Sequence, residues 1–382
     1  MKFLHLSDLH IGKNVNGFSM IEEQRHAFAQ VMECVKNERP TAVILAGDIY
    51  DRAIPSTEAV RVFDDFLTAL ADENTAVMLI SGNHDSPERI HFASRLLTDK
   101  QLFFYGAFDG EMQKITLPDE YGEVNFWLLP FIKPSSIRGM FQNQDIDSYD
   151  DAVATVLDAV NIDFTARNVL VSHQFYTKTG ITPIRSESEL NPVGGLDAVN
   201  AGLIERFDYV ALGHLHGAQS VGATHIRYCG SPIKYSFSEW RQEKSISVVE
   251  LGEKGDLSVC PYPLVPLREM REIRGELETL TSDEISSQAN KEDYLRVILT
   301  DEDEIIDPMG KLRSVYPNIM SLDFENTRTS IDIDAVSTDA ETMESLSHFE
   351  LFGKFYLKIQ GSAMSEEQAA IVREILERTG DE

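Results

Sequence analysis

Short apolar runs, each ending abruptly in polar residues, mark the first two-thirds of the chain. Residues 2–6 lead into Ser7-Asp8-Leu9-His10, and 41–46 into Gly47-Asp48. Residues 76–81 lead into Gly82-Asn83-His84-Asp85, 168–172 into His173, and 209–212 into Gly213-His214-Leu215-His216. Runs this short, rich in Val, Ile and Leu and bounded by Gly or polar residues, predict buried strands of a layered α/β domain. A polar cluster just past the C-terminal end of a strand is where open α/β sheets place their sites. Helices fit between the strands. Residues 22–36 carry Ala27, Phe28, Val31, Met32 and Val35 at helical spacing. Ser56 or Thr57 can cap a helix through about residue 71, with Val60, Phe63, Leu67 and Leu70 on one face. Ser86-Pro87-Glu88 reads as an N-cap followed by proline at the first helical position. By default the apolar faces over 56–71 and 87–97 belong to the core. A polar stretch over 141–151 precedes a helix through about residue 160.

From residue 228 the pattern changes. Residues 244–251 alternate like a sheet edge, and Pro261, Pro263 and Pro266 read as a linker. A smaller unit follows, with strands over 268–274, 294–300 and 319–324. Two helices lie between them, the second over about 307–315. Acidic residues 332–342 read as a second linker, and two apolar-faced helices, 343–359 and 365–378, follow. The expected domains are therefore 1–266, 267–330 and 331–382.

Composition sharpens this picture. With 382 residues, 42% of them hydrophobic, a large core is available and wholesale disorder is excluded. The 34 Lys and Arg against 63 Asp and Glu give a net charge of -29. That argues against a chain that grips a polyanion unaided, since such proteins carry a basic patch. Residues 268–382 hold 12 basic and 27 acidic side chains, so much of the excess lies away from the strand-end clusters. Divalent ions bound at those clusters would reverse the local sign. No apolar run approaches the ~18 residues of a membrane span, so no membrane partner is expected. The first ten residues are too interrupted for a signal peptide. Cys34, Cys229 and Cys260 fit neither a disulfide framework nor a zinc cluster, which points to a reducing compartment, the cytoplasm.

Taken as one set, Asp8, His10, Asp48, Asn83, His173, His214 and His216 combine imidazoles with carboxylate and amide oxygens. Such donors suit divalent manganese, iron or zinc. Seven ligands exceed the need of one tetrahedral ion but would serve two ions sharing a carboxylate. Two-metal sites of that kind clamp the attacking and leaving oxygens of a displacement at phosphorus. His84 is left as a proton donor, and Asp85 could orient it. Singly these pieces are weak, because Asp is common in turns for structural reasons. Five of them in order, each after a β-like run, make a phosphoesterase site in outline.

In this order the set resembles the calcineurin-like metallophosphoesterase superfamily. Further runs narrow the likeness: 3–12, 46–52, 82–89, Ser186-Glu187, Val193-Gly194-Gly195, 207–216, Gly230-Ser231-Pro232 and Ser236-Phe237-Ser238-Glu239. Together they are similar to the bacterial nuclease subunits that process DNA double-strand breaks and hairpins with an SMC-like ATPase. The resemblance is dense to about residue 245 and rests on layout beyond 267. It implies an α/β (α+β layered) fold: a metallophosphoesterase β-sandwich flanked by helices, a small α/β capping domain and a C-terminal helical partner-binding segment. It implies two divalent ions, with manganese preferred. Asp8, His10, Asp48 and His216 would hold the first, and Asp48, as bridge, with Asn83, His173 and His214 the second. His84 would protonate the departing sugar oxygen. The implied activities are 3'-5' double-strand exonuclease and single-strand or hairpin endonuclease, in DNA repair, recombination and replication. The implied partners are duplex and hairpin DNA, a second copy of the chain docked through the helices after residues 56 and 86, and the ATPase in a heterotetramer, gripped by the terminal helices. The ligand set does not separate this reading from a phosphoesterase acting on nucleotides or phosphoproteins. A third reading, a scaffold on the same fold, is disfavoured because the ligands and His84 all survive.

Overall fold

The computed structural model describes residues 1–141, 145–178, 180, 183–189, 197–326, 347–360 and 363–379. Two compact units divide them, Met1–Glu269 and Met270–Glu382. Val193-Gly194-Gly195 and the acidic stretch 332–342 lie outside the described residues.

In the first unit the apolar runs become the middles of two six-stranded sheets. One runs, edge to edge, Leu257–Pro263, Ser245–Leu251, Lys2–Leu6, Ala42–Ala46, Ala76–Ile80, Leu102–Tyr105. The other runs Gln219–Val221, Ala223–Tyr228, Tyr209–Leu212, Arg167–Ser172, Gly122–Leu129, Gln113–Asp119. Because side chains alternate across a strand, each continuous apolar run serves two cores at once. Val43, Leu45, Val77 and Leu79 pack outward under the helices Ile21–Glu38 and Thr57–Asp72, where Phe28 stacks on Phe66 at 4.5 Å. Ala42, Ile44, Met78 and Ile80 face inward, against Phe126, Val169, Val171 and Ala211 of the second sheet. A third cluster covers the outer side of the second sheet with Val153, Val156 and their neighbours on the helix Tyr149–Asp158. The result is a β-sandwich with helices on both outer faces. His5, in the first strand, ties the two sheets together: Nδ1 lies 2.9 Å from the Tyr209 hydroxyl and Nε2 lies 3.2 Å from the Leu212 carbonyl. Burial pushes its pKa down to about 3, so it stays neutral.

Most expected elements form close to their predicted bounds, and Ser56 caps its helix by accepting from Ala59 N at 3.1 Å. Three expectations are corrected. Residues 244–251 are no edge, since Ser245–Leu251 pairs on both sides. The edge is Leu257–Pro263, which the prolines disguised as a linker. Proline fits an outermost strand where its missing N–H faces away from the partner. The face after Ser86 is not uniformly core: Ala93, at φ 61°, splits it into Pro87–His91 and Ser94–Leu97, and Phe92 and Leu96 are each 80% exposed.

The second unit contains a three-stranded parallel sheet in the order Met270–Gly275, Tyr294–Leu299, Ile319–Phe324. Leu295, Val297 and Leu299 pack with Leu280, Leu312 and Tyr316 from the covering helices. Three short helices lie between the strands rather than two: Leu277–Thr281, Asp283–Ser286 and Pro308–Arg313. Two longer helices follow, His348–Gln360 and Glu366–Thr379, with Phe352, Phe355, Ile371 and Ile375 exposed. No helix among the described residues is long and apolar enough to cross a membrane.

Candidate metal centre

Five loops, each leaving the carboxyl end of a parallel strand, converge on one cluster. The backbone there is unusual. Asp8, His10, Asp48 and His214 all take positive φ, at 53°, 41°, 51° and 104°. Left-handed conformations at non-glycine residues cost energy and persist only where surrounding contacts enforce them. The enforcing bonds are visible: Asp8 N and His10 N donate to the Gly47 and Asp48 carbonyls, and His214 N donates to both Asp8 oxygens at 3.0 and 3.1 Å. Two glycines allow the crowding. A Cβ on Gly47 would lie 2.3 Å from His173 Nδ1, and one on Gly82 would lie 2.1 Å from Asp48 Oδ1. Gly82→Ala is therefore expected to lower stability by about 1–3 kcal/mol and to weaken uptake of divalent metal. Thermal melting and metal titration check this, and unchanged values in both would show that the loops can yield.

All seven expected ligands meet here. The imidazoles of His10 and His216 approach through Nε2 atoms 3.1 Å apart. Asp48 Oδ2 lies 3.6 Å from His10 Nε2 and 3.2 Å from His173 Nε2, placing it between two histidine sets. Asp8 Oδ1 is 3.9 Å from His173 Nε2. Asn83 Oδ1 sits 3.2 Å from His173 Nε2 and 3.0 Å from His214 Nδ1. Three overlapping groups could each hold a metal ion: Asp8, His10 and His216; His10, Asp48 and His84; Asp8, Asp48 and His173.

The donor chemistry fits divalent ions. His173 Nδ1 lies 2.7 Å from the Ala46 carbonyl, which can only accept, so Nδ1 carries the proton. Its Nε2 lone pair then faces oxygens of Asp48, Asn83 and Asp8. That arrangement is repulsive unless a proton or a cation lies between. The imidazole's pKa shows the same pressure. Burial alone would lower it, but Asp48 and Asp8 raise it to about 9. The same neighbours act on Asp48, whose burial would raise its pKa but which His173 and His10 hold well below the carboxylate range. Burial raises Asp8 and lowers His10 and His214, the last to about 3. His214 turns its Nδ1 towards Asn83 Oδ1, and its Nε2 is buried with no hydrogen-bond partner.

His84 stands half-buried at the rim. Its backbone N–H donates to Asp48 Oδ1 at 2.8 Å, and its Nδ1 lies 3.1 Å from the Asp51 carbonyl. The role expected for Asp85 is corrected. Its carboxylate does not orient the imidazole; it accepts from Ile49 N, Tyr50 N and Gly82 N at 3.0, 2.9 and 2.9 Å. It thereby staples the Asp48 loop to the Asn83 loop, and burial, with Asp48 nearby, raises its pKa to about 6. The imidazole is held by a backbone carbonyl, a partner no side-chain pattern reveals.

Other supports were also illegible in sequence. Gln24 donates to the His10 carbonyl at 2.8 Å, from a helix read only as amphipathic. Ser188 Oγ lies 2.8 Å from His216 Nδ1 and donates to Glu239 Oε1 at 2.7 Å. Buried Lys244 bonds Glu239 Oε2 at 2.6 Å and the His216 carbonyl at 2.9 Å.

The calcineurin-like phosphoesterase family matches residues 1–218, and the family described as the type 5 capsule protein repressor C-terminal domain matches 266–359. A curated relative, the SbcD component of the nuclease SbcCD from Staphylococcus epidermidis, is 31% identical over 382 residues, covering 98% of each chain. Similar solved structures include a dimetal phosphatase from Danio rerio (13% identity, TM-score 0.40, covering 70% of this chain and 97% of that one). Another is the phosphopantetheinyl hydrolase of Mycobacterium tuberculosis (14% identity, TM-score 0.37, covering 63% and 92%). On the first two findings, this chain belongs to the calcineurin-like phosphoesterases, a family of metal-dependent hydrolases, and within them to the SbcD nuclease family.

Proposed function

We propose that the chain is the nuclease subunit of a two-part complex and hydrolyses DNA phosphodiester bonds, as a 3'-5' double-strand exonuclease and a single-strand or hairpin endonuclease. What supports this is end-to-end similarity to a nuclease subunit, together with the clustering of Asp8, His10, Asp48, His173 and His216, with Asn83 Oδ1 beside His173 and His214. Asp8, His10, Asp48 and His216 would hold one divalent ion, and Asp48, Asn83, His173 and His214 the other; these donors suit manganese, iron or zinc, and the resemblance to the nuclease family favours manganese. Bound ions supply Lewis acidity at the phosphoryl oxygens and lower the pKa of water. The protein's own residues arrange the rest. The Asp51 carbonyl keeps the Nδ1 proton of His84 in both charge states, so Nε2 is where a proton comes and goes. As the imidazolium, His84 delivers that proton to the departing sugar oxygen. Asp85 keeps the loops of Asp48 and His84 in register.

The partner we propose is an SbcC-type SMC-like ATPase, in a heterotetramer built on two copies of this chain and met by the exposed apolar residues of the terminal helices. A chain of net charge -29 then borrows its grip on DNA. The test is manganese-dependent digestion of a hairpin-ended duplex, with and without that ATPase and ATP, beside para-nitrophenyl phosphate esters. Digestion of the duplex, extended to hairpin ends by the ATPase, is expected. Turnover of the small esters alone would remove the nuclease reading in favour of a nucleotide or phosphoprotein phosphoesterase.

A further inference from the structure

His216 is held at three points by residues that no metal reading requires. Its backbone N–H donates to Glu189 Oε1 at 2.7 Å, its carbonyl accepts from Lys244 Nζ at 2.9 Å, and its Nδ1 meets Ser188 Oγ at 2.8 Å. The hydroxyl of Ser188 is spent as a donor on Glu239 Oε1 at 2.7 Å, so towards His216 it can only accept. The proton therefore sits on Nδ1 of His216, and the lone pair on Nε2, the atom that faces His10. Ser188, together with the Glu239 carboxylate whose Oε1 lies 3.4 Å from the same Nδ1, thus selects the tautomer that can bind a cation, the part that hydrogen-bonded neighbours commonly play for ligating histidines. Glu189 is buried, and its second oxygen has no hydrogen-bond partner. The His216 N–H is the short bond that this carboxyl makes outside its own segment, beside the neighbouring Ser186 backbone.

Both residues belong to the segment 183–189, which is seated on the same part of the fold. Glu187 N donates to Ser238 Oγ at 3.0 Å, and Ile184 exchanges two bonds with the Gln219 side chain, at 2.9 and 2.8 Å. We propose that Ser188 and Glu189 are positioning residues of the metal centre, and that seating of segment 183–189 and ion binding at His216 are thermodynamically linked. By reciprocity, an ion that binds better when the segment is seated must also seat it. The proposal rests on the reading of His216 as a ligand.

Manganese binding followed by electron paramagnetic resonance, with backbone hydrogen exchange over 183–189, tests both layers in the full chain. Ser188→Ala and Glu189→Ala are each expected to weaken one manganese site about tenfold to a hundredfold. Glu189→Gln keeps an oxygen acceptor for the His216 N–H and restores most of the affinity. Manganese slows exchange over 183–189 in the unaltered protein and does so less in the two alanine variants. His216→Ala separates the layers. If it binds manganese as the unaltered chain does, the ligand reading falls, and this proposal with it. If His216→Ala loses a site while Ser188→Ala binds normally and manganese leaves exchange over 183–189 unchanged, the ligand reading stands and the positioning role is overturned. Ser188→Ala removes only one hydroxyl, so it keeps the test open should Glu189→Ala fail to fold.

Discussion

Asp48→Asn is expected to cut manganese-dependent hydrolysis of duplex DNA by about a thousandfold or more, the scale on which losing a central electrostatic group acts. The size follows from its place. Its Oδ2 lies between His10 and His173, its Oδ1 accepts the His84 N–H, and it belongs to two of the three groups that could hold an ion. Asparagine keeps the shape and one oxygen but removes the charge shared by both halves of the centre. It also relieves His173 of the carboxylate that most raises its pKa, so that imidazole should titrate lower than about 9 in the ion-free variant. Metal content by mass spectrometry and the rate on duplex DNA check the prediction. Two bound ions with near-normal turnover would remove Asp48 from the centre.

His84→Gln should behave differently. A lost general acid typically costs about a hundredfold to ten-thousandfold. Here the loss should come with unchanged metal content: His84 belongs to one of the three groups that could hold an ion but to neither proposed ligand set, and the bond that ties position 84 to Asp48 is made by the backbone. The loss should also depend on the leaving group. A sugar oxygen departs poorly without a proton, whereas para-nitrophenolate departs readily, so the variant should be crippled on DNA and only mildly slowed on the ester. Equal losses on both substrates would mean that the imidazole acts in binding or in charge stabilisation. That contrast separates protonation from every role shared by the two reactions.

The sandwich was legible because its central strands are buried on both faces, which turns each into an unbroken apolar run such as residues 42–46. The seven donors were legible because strand-end placement concentrates polar residues at those breaks. What escaped were features without a periodic signature. The hairpin of Gln113–Asp119 and Gly122–Leu129 closes one side of the second sheet, yet its outer strand mixes Lys114, Thr116 and Pro118 with apolar residues. The break at Ala93 depends on one left-handed residue of a type that favours helices, so composition argued for continuity. Asp85 sits beside His84 in the chain, and adjacency suggested partnership. Its three bonds go instead to backbone donors, two of them more than thirty residues away in sequence. Lys244 carries no marker at all, because its role lies in bringing Ser231 and His216, 13 and 28 residues away, together with its sequence neighbours Glu239 and Gln242.

The two prolines of the outermost strand reach beyond this one sheet. Pro261 and Pro263 stand opposite Ser247 and Ser245, and their ring nitrogens leave gaps in the row of donors that an incoming strand would need. A neighbouring molecule cannot zip onto that margin as it could onto a plain hydrophobic ribbon. This rim acts as a gatekeeper against stacking into fibrils. The same residues that made the segment look like a tether make it a boundary.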